Sequence, residues 1–134
     1  MENRYLFRAK RVDNGEWVQG AILFHDADAA TIFNQHPADG SLQGFEVDQS
    51  TICQCTGLKD KNGKLIWEND VVAYWDTYST ENGQAEADCV GKVVWDDETI
   101  SFQVTNRLSA ESWEVLDECS VIGNAIDNPE LLEV

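Results

Sequence analysis

The sequence predicts a mainly β protein with minor α, built of short antiparallel strands in small curled sheets, and three features lead there. Runs of β-branched and aromatic residues recur along the chain, as in Val71-Val72-Ala73-Tyr74-Trp75 and Val93-Val94-Trp95. Turn-forming groups separate them, among them Asp13-Asn14-Gly15, Asn62-Gly63, Asn82-Gly83 and Asp96-Asp97-Glu98. No pair of these runs is separated by a well-patterned crossover helix, which a parallel sheet requires.

Arg4 to Ala9 alternate enough for a first strand, with Tyr5 and Phe7 on one face. After the Asp13-Asn14-Gly15 turn, Glu16 to Phe24 return as its hairpin partner. His25 to Gly44 are less ordered. Asp28 to Phe33 suit a short strand or one helical turn equally, Pro37, Gly40 and Gly44 mark a loop, and Phe45-Glu46-Val47 begin another strand. A boundary between subdomains is expected near residues 47–55. The stretch from Thr56 to Asp76 then reads as strand, turn, strand. Its Asn62-Gly63 pair suits a type I′ turn with two successive positive φ values, and Glu68-Asn69-Asp70 make a second bend. Residues 76–90, acidic and small, read as an exposed, mobile loop. Gly91 to Val104 give strand, acidic turn, strand, with Ile100, Phe102 and Val104 at a period of two. Ser109 to Leu116 carry a capping serine and an acidic first turn, the pattern of a short helix. Ser120 to Ile126 form a last strand with a glycine bend, and Asn128-Pro129 open a terminal turn that presses Leu131 and Leu132 onto the core.

With 134 residues, 43% of them hydrophobic, the chain can bury roughly two-thirds of its unfolded surface in one domain or two small ones. Nine Lys and Arg against twenty-five Asp and Glu leave a net charge of −16. That balance repels phosphate backbones, closes the usual route to direct nucleic-acid binding, and favours basic partners. The start of the chain lacks the continuous apolar core of a signal peptide, and no window approaches the ~20 apolar residues that cross a bilayer. A cytoplasmic setting follows, with no membrane partner, in which the four cysteines are free thiols.

Cys53-Gln54-Cys55 is the first place to look for a metal. Structural zinc sites, however, pair cysteines at wider spacing, and Cys89 and Cys119 stand alone, so buried thiols on one strand face are favoured. His25 and His36 lack a nucleophile or a second ligand at working distance in sequence, no serine sits in a GxSxG elbow, and neither a P-loop nor GxGxxG occurs. The acidic groups Glu68/Asp70, Asp96/Asp97/Glu98 and Asp117/Glu118 could hold a divalent cation or act as paired carboxylates. Each falls where a strand turns, so solvated turns are expected, and no metal or cofactor is assigned. Trp67, Trp75, Trp95 and Trp113 could form a stacking platform but are expected to be core. Trp75 and Trp95 are the exceptions, partly exposed and open to contacts between subunits.

The chain resembles the YopX family of phage and prophage proteins. The likeness rests on Thr56-Gly57-Leu58-Lys59-Asp60-Lys61-Asn62-Gly63-Lys64 followed by Ile66, Glu68, Asp70 and Val71. It also rests on Phe7-Arg8-Ala9 with Trp17-Val18-Gln19-Gly20, and on Val121-Ile122-Gly123-Asn124 with Asn128-Pro129-Glu130-Leu131-Leu132. These three blocks span nearly the whole chain in the family's order. Asn69 stands where the family usually has Gly, and Asn tolerates the same left-handed conformation. The resemblance implies an N-terminal β subdomain over 1–50 and a C-terminal subdomain over 51–134, similar to an SH3-like barrel with short helical turns. It brings no catalytic residues, so Thr56, Gly57, Leu58, Asp60, Asn62, Gly63, Glu68, Asp70, Gly123, Asn124 and Pro129 are read as fold determinants.

The leading expectation is a non-enzymatic phage accessory protein: a binding or assembly module, homo-oligomeric, with Trp75, Trp95, Asp96, Asp97 and Glu98 as the interaction surface toward a basic host or phage protein. An alternative is an acidic mimic of DNA that blocks a host nucleic-acid-binding protein. A third reading is a metal-dependent hydrolase using the acidic turns.

Overall fold

The computed structural model describes residues 5–26, 29–81, 83–105, 110–111 and 119–132. The protein is mainly β, with two antiparallel sheets and no closed barrel among these residues. The strands in order are β1 (Phe7–Lys10), β2 (Trp17–Phe24), β3 (Ala30–Gln35), β4 (Leu42–Val47), β5 (Cys53–Lys59), β6 (Leu65–Trp67), β7 (Asp70–Thr80), β8 (Gly83–Asp96), β9 (Ser101–Thr105), β10 (Ala110–Glu111) and β11 (Ser120–Asn124). Short 3-10 turns occupy Gln49–Thr51 and Pro129–Leu132. The chain divides into two compact units, Met1–Gly57 and Leu58–Val134.

In the first unit the order is β4-β3-β2-β1-β5. Successive hairpins pair Phe7 with Gly20, Ile22 with Ile32, and Ile32 with Phe45. Arg11 bridges Val47, the Val12 N–H donates to the Glu46 carbonyl, and the Asp48 N–H donates to the Lys10 carbonyl, so the end of β4 turns back onto the segment after β1. Period-two alternation puts Ala9, Ala30, Ile32 and Val47 into one buried cluster, with Val18, Ile22 and Ile52 against it. The ambiguous segment before His36 is strand β3, while Tyr5, expected beside Phe7, lies outside β1 and is exposed. Asp48 caps the turn after β4 by accepting from the Ser50 N–H.

β5 runs across the boundary, and its end pairs with β6. In the second unit the order is β10-β9-β8-β7-β11. Ile66, Val72, Tyr74, Val93, Val104 and Cys119 form its core, with Leu58, Cys89, Phe102 and Val121 packed against them. Each fully buried aliphatic side chain there contributes roughly 1.5–3 kcal/mol.

Four expectations are corrected here. Residues 76–90 are not a loop: β7 and β8 pair without interruption from Val71↔Lys92 to Thr80↔Gly83. A backbone ladder forms there although the composition is that of a turn region. Within the stretch read as a helix, Ala110 and Glu111 are instead paired with Thr105 and Val104, and the remainder lies outside the described residues. Ile100 is not the first residue of β9 but the last of its turn, at φ 54°. The loop before β6 is not type I′, since only Gly63 has positive φ, at 82°. The Gly63 N–H donates to the Asp60 carbonyl and the Asp60 N–H to the Lys64 carbonyl, as in a three-residue loop closed by a left-handed glycine.

Candidate functional site

The family-like motif residues converge on structure of their own making. The Asp60 side chain is nearly buried, and its Oδ1 accepts from the backbone N–H groups of Asn62 and Lys64 at 2.9 Å each. Its Oδ2 accepts from the Val121 N–H at 2.9 Å, sixty-one residues away. Burial pushes this carboxyl up, but the three backbone donors and the Lys64 charge outweigh it and hold the group below its ordinary value. The same loop is fastened to β11 by the Lys61 N–H on the Cys119 carbonyl and by the Asn62 amide on Ser120. Asp70, read from sequence as solvated, is 1% exposed and accepts from the Trp67 N–H at 2.8 Å. The strand turn places it inward, so that expectation is corrected. Asn69 has φ 70°, a left-handed bend that asparagine tolerates better than most residues other than glycine. Thr56, Gly57 and Leu58 lie in β5, Gly57 at φ 82°, and Glu68 lies in the turn before β7.

The closing block works similarly. A Cβ on Gly123 would lie 2.7 Å from both Asn128 Oδ1 and Leu131 Cδ1, so the absence of a side chain admits the terminal turn. Asn124 Oδ1 accepts from the N–H groups of Ile126 and Asp127, and Pro129 opens the 3-10 turn. Trp67, Cys53 and Cys55 are buried, and Cys53 Sγ donates to the Thr51 carbonyl. His25 contacts the Thr31 hydroxyl at 2.6 Å, and His36 accepts from the Ala38 N–H. Among the described residues no three His, Cys, Asp or Glu side chains are grouped to hold a metal ion. None of their helices is long and apolar enough to cross a membrane. Asp117, Glu118 and Trp113 lie outside the described residues.

The turn between β8 and β9 lies at the surface. Trp95 is 42% exposed and meets Phe102 edge to face, with centroids 5.1 Å apart and planes at 72°. Its indole N–H donates to Asp97 Oδ1 at 2.8 Å. Asp96 accepts from the Glu98 N–H and from the Thr99 hydroxyl, and Gln103 donates to Thr99. Two carboxylates are thus fixed by the turn itself, and Glu98 projects beside them. Ile100 stands at the end, 75% exposed, in a conformation that a β-branched residue rarely adopts. The turn thus carries three acidic residues beside an exposed aliphatic side chain.

Trp75 and Trp95 are both exposed as expected, but the structure does not bring them together. Tyr74 and Val93 both enter the core, so alternation places Trp75, next to Tyr74, on one face of the sheet and Trp95, two after Val93, on the other. The sequence reading named Trp95, Asp96, Asp97 and Glu98 for an interaction surface and did not name Ile100, which shares their turn. The available signal was a turn with no glycine, which leaves another residue to take the left-handed position.

A family model described as YopX protein matches residues 6–133. Among solved structures, the crystal structure of protein EF1440 from Enterococcus faecalis is similar, with TM-score 0.56 and 27% sequence identity, covering 94% of this chain and 96% of that one. No curated protein matches the chain.

Proposed function

The chain belongs to the YopX family, and on that footing we propose that it is a non-enzymatic accessory protein of a phage or prophage, a β-rich binding and assembly module acting inside the host cell. Its contact with a basic host or phage protein is made by the β8–β9 turn. One observation carries this reading: Ile100 is held 75% exposed on left-handed backbone at the end of an ordered acidic turn. An isoleucine there contributes little to folding and is strained, a combination that favours a role in contact. The net charge of −16 would speed encounter with a cationic surface. The experiment is capture from infected host cells with tagged protein, comparing wild type with Ile100→Asp and Trp95→Ser. A basic protein retained by the wild type should be lost from both variants and eluted by salt, while the melting temperature of Ile100→Asp stays near wild type. Equal retention by the variants removes the turn as the contact.

A further inference from the structure

Strand β4 is an edge of its sheet, and its outer side is only partly covered. Along an antiparallel strand the backbone groups of successive residues face opposite ways. The Ser41 carbonyl accepts from the His36 N–H, on the side of β3, whereas the Glu46 carbonyl accepts from the Val12 N–H on the other side. Leu42 and Gly44 share the parity of Glu46, so their N–H and C=O groups point outward. Among the described residues no strand lies beside them. The stretch from Ser41 to Phe45 also lacks the features that usually guard such an edge: it has no charge, no proline and no break in its register with β3. Leu42 is 73% exposed.

We propose that Leu42, Gln43 and Gly44 pair with the same residues of a second copy of the chain, antiparallel about a two-fold axis, joining the two β4 edges into one continuous sheet. A second copy is selected because the open groups complement themselves. With the axis at Gln43, Leu42 faces Gly44 of the second copy and Gly44 faces its Leu42, so every outward donor and acceptor of both residues is satisfied. The same pairing sets Glu46 opposite Gly40, where the chain has already left the strand for the turn closed on His36, so Val12 keeps its place on Glu46. The side chains match as well. A Cβ on Gly44 would lie 2.8 Å from Phe33 Cε1, so the Phe33 ring leans over the glycine, on the face of the sheet that Leu42 shares. Leu42, set opposite that glycine, gains the second copy's Phe33 ring to pack on. Gln43 stands on the other face, its amide donating to Asn34 Oδ1 at 2.8 Å. A foreign strand meets the backbone groups equally, but a copy of this edge sets an exposed leucine against a glycine roofed by an aromatic ring at both ends. The contact is also free of Asp and Glu in a chain of net charge −16.

This rests on the assembly part of the function proposed above and makes no use of the β8–β9 turn, so each can fail alone. Sedimentation velocity of the whole chain over a concentration series, at low and high salt, tests it together with a cross-link. Wild type should form a dimer that tightens as salt rises, because backbone hydrogen bonds and apolar contact hold two acidic chains together. Leu42→Lys charges the edge, and Leu42→Pro removes an outward N–H that the chain's own sheet does not use. Each should weaken the dimer by about tenfold or more, with melting temperatures near wild type. Gln43→Cys places a thiol on either side of the axis, where the facing Cα atoms are about 4.5 Å apart. Mild oxidation should then join residue 43 to residue 43, read by mass spectrometry of the linked peptides. Gln35→Cys, on β3, sets its two thiols three strand spacings apart, about 14 Å, and should give no such link. Ile100→Asp should dimerise as wild type even where it loses the captured partner. A monomeric wild type, a dimer that persists in both Leu42 variants or dissociates in salt, the absence of a link through residue 43, or a monomeric Ile100→Asp would each overturn the proposal.

Discussion

A single carboxylate explains most of the central motif. Asp60 accepts three backbone hydrogen bonds, two from its own loop and one from Val121. Hydrogen bonds to a charged group contribute about 1.5–3 kcal/mol each, and they are not additive. Asp60→Ala should therefore destabilise the protein by about 2–4 kcal/mol, measured by urea unfolding. Because the folded pKa of Asp60 lies below its unfolded value, its stabilisation is complete above the unfolded pKa of about 3.9 and is lost as pH falls through the lower, folded value. The acid limb of the stability curve should flatten in Asp60→Ala. The two left-handed non-glycine residues among the described ones differ in what they reveal. Asn69 was readable because asparagine is chosen where glycine would serve, and Asn69→Val should cost about 1–2 kcal/mol. Ile100 was unreadable because nothing in its side chain suits φ 54°. Ile100→Gly should be neutral or stabilising by up to about 1 kcal/mol in the same urea assay, while abolishing capture of a partner.

At the scale of elements, hairpins whose two strands alternate against a core were legible, since the same residues that favour strands also bury them. β1 with β2 and β8 with β9 are of that kind. The outer part of β7–β8 was not, because its ladder depends on register carried outward from Val71↔Lys92 rather than on strand-favouring side chains. β10 was misread for a related reason. Hydrogen bonding of Ala110 to Thr105 is a tertiary matter, and it overrides a local capping signal. The site was half legible: Trp95 and its acidic neighbours stand out by residue type, whereas the separation of Trp75 from Trp95 follows from face alternation across the sheet. β11 offers the sharpest test of packing. Gly123→Ala puts a methyl 2.7 Å from Asn128 and Leu131, which must move the terminal turn or the strand. A loss of about 1–3 kcal/mol is expected, with faster amide exchange at Leu131 than at the core strand β8.

For the whole molecule, two units with separate hydrophobic clusters share a chain whose acidity is unevenly placed. Repulsion among seventeen carboxylates after Gly57 opposes compaction of the second unit. Raising ionic strength from low to physiological should therefore raise the melting temperature, an effect that should shrink when Asp97 and Glu98, both exposed, are replaced by Asn and Gln. The bond from Asp60 to Val121 also sets an order of events during synthesis. A ribosome that has released residue 60 still has sixty-one more to add before that carboxylate meets its last donor. Until then β7 lacks β11, and the nascent second unit is a substrate for proteases and chaperones, whereas residues 1–57 already hold every strand their own cluster uses. Premature stop codons before Val121 should thus yield fragments that are degraded back toward Gly57.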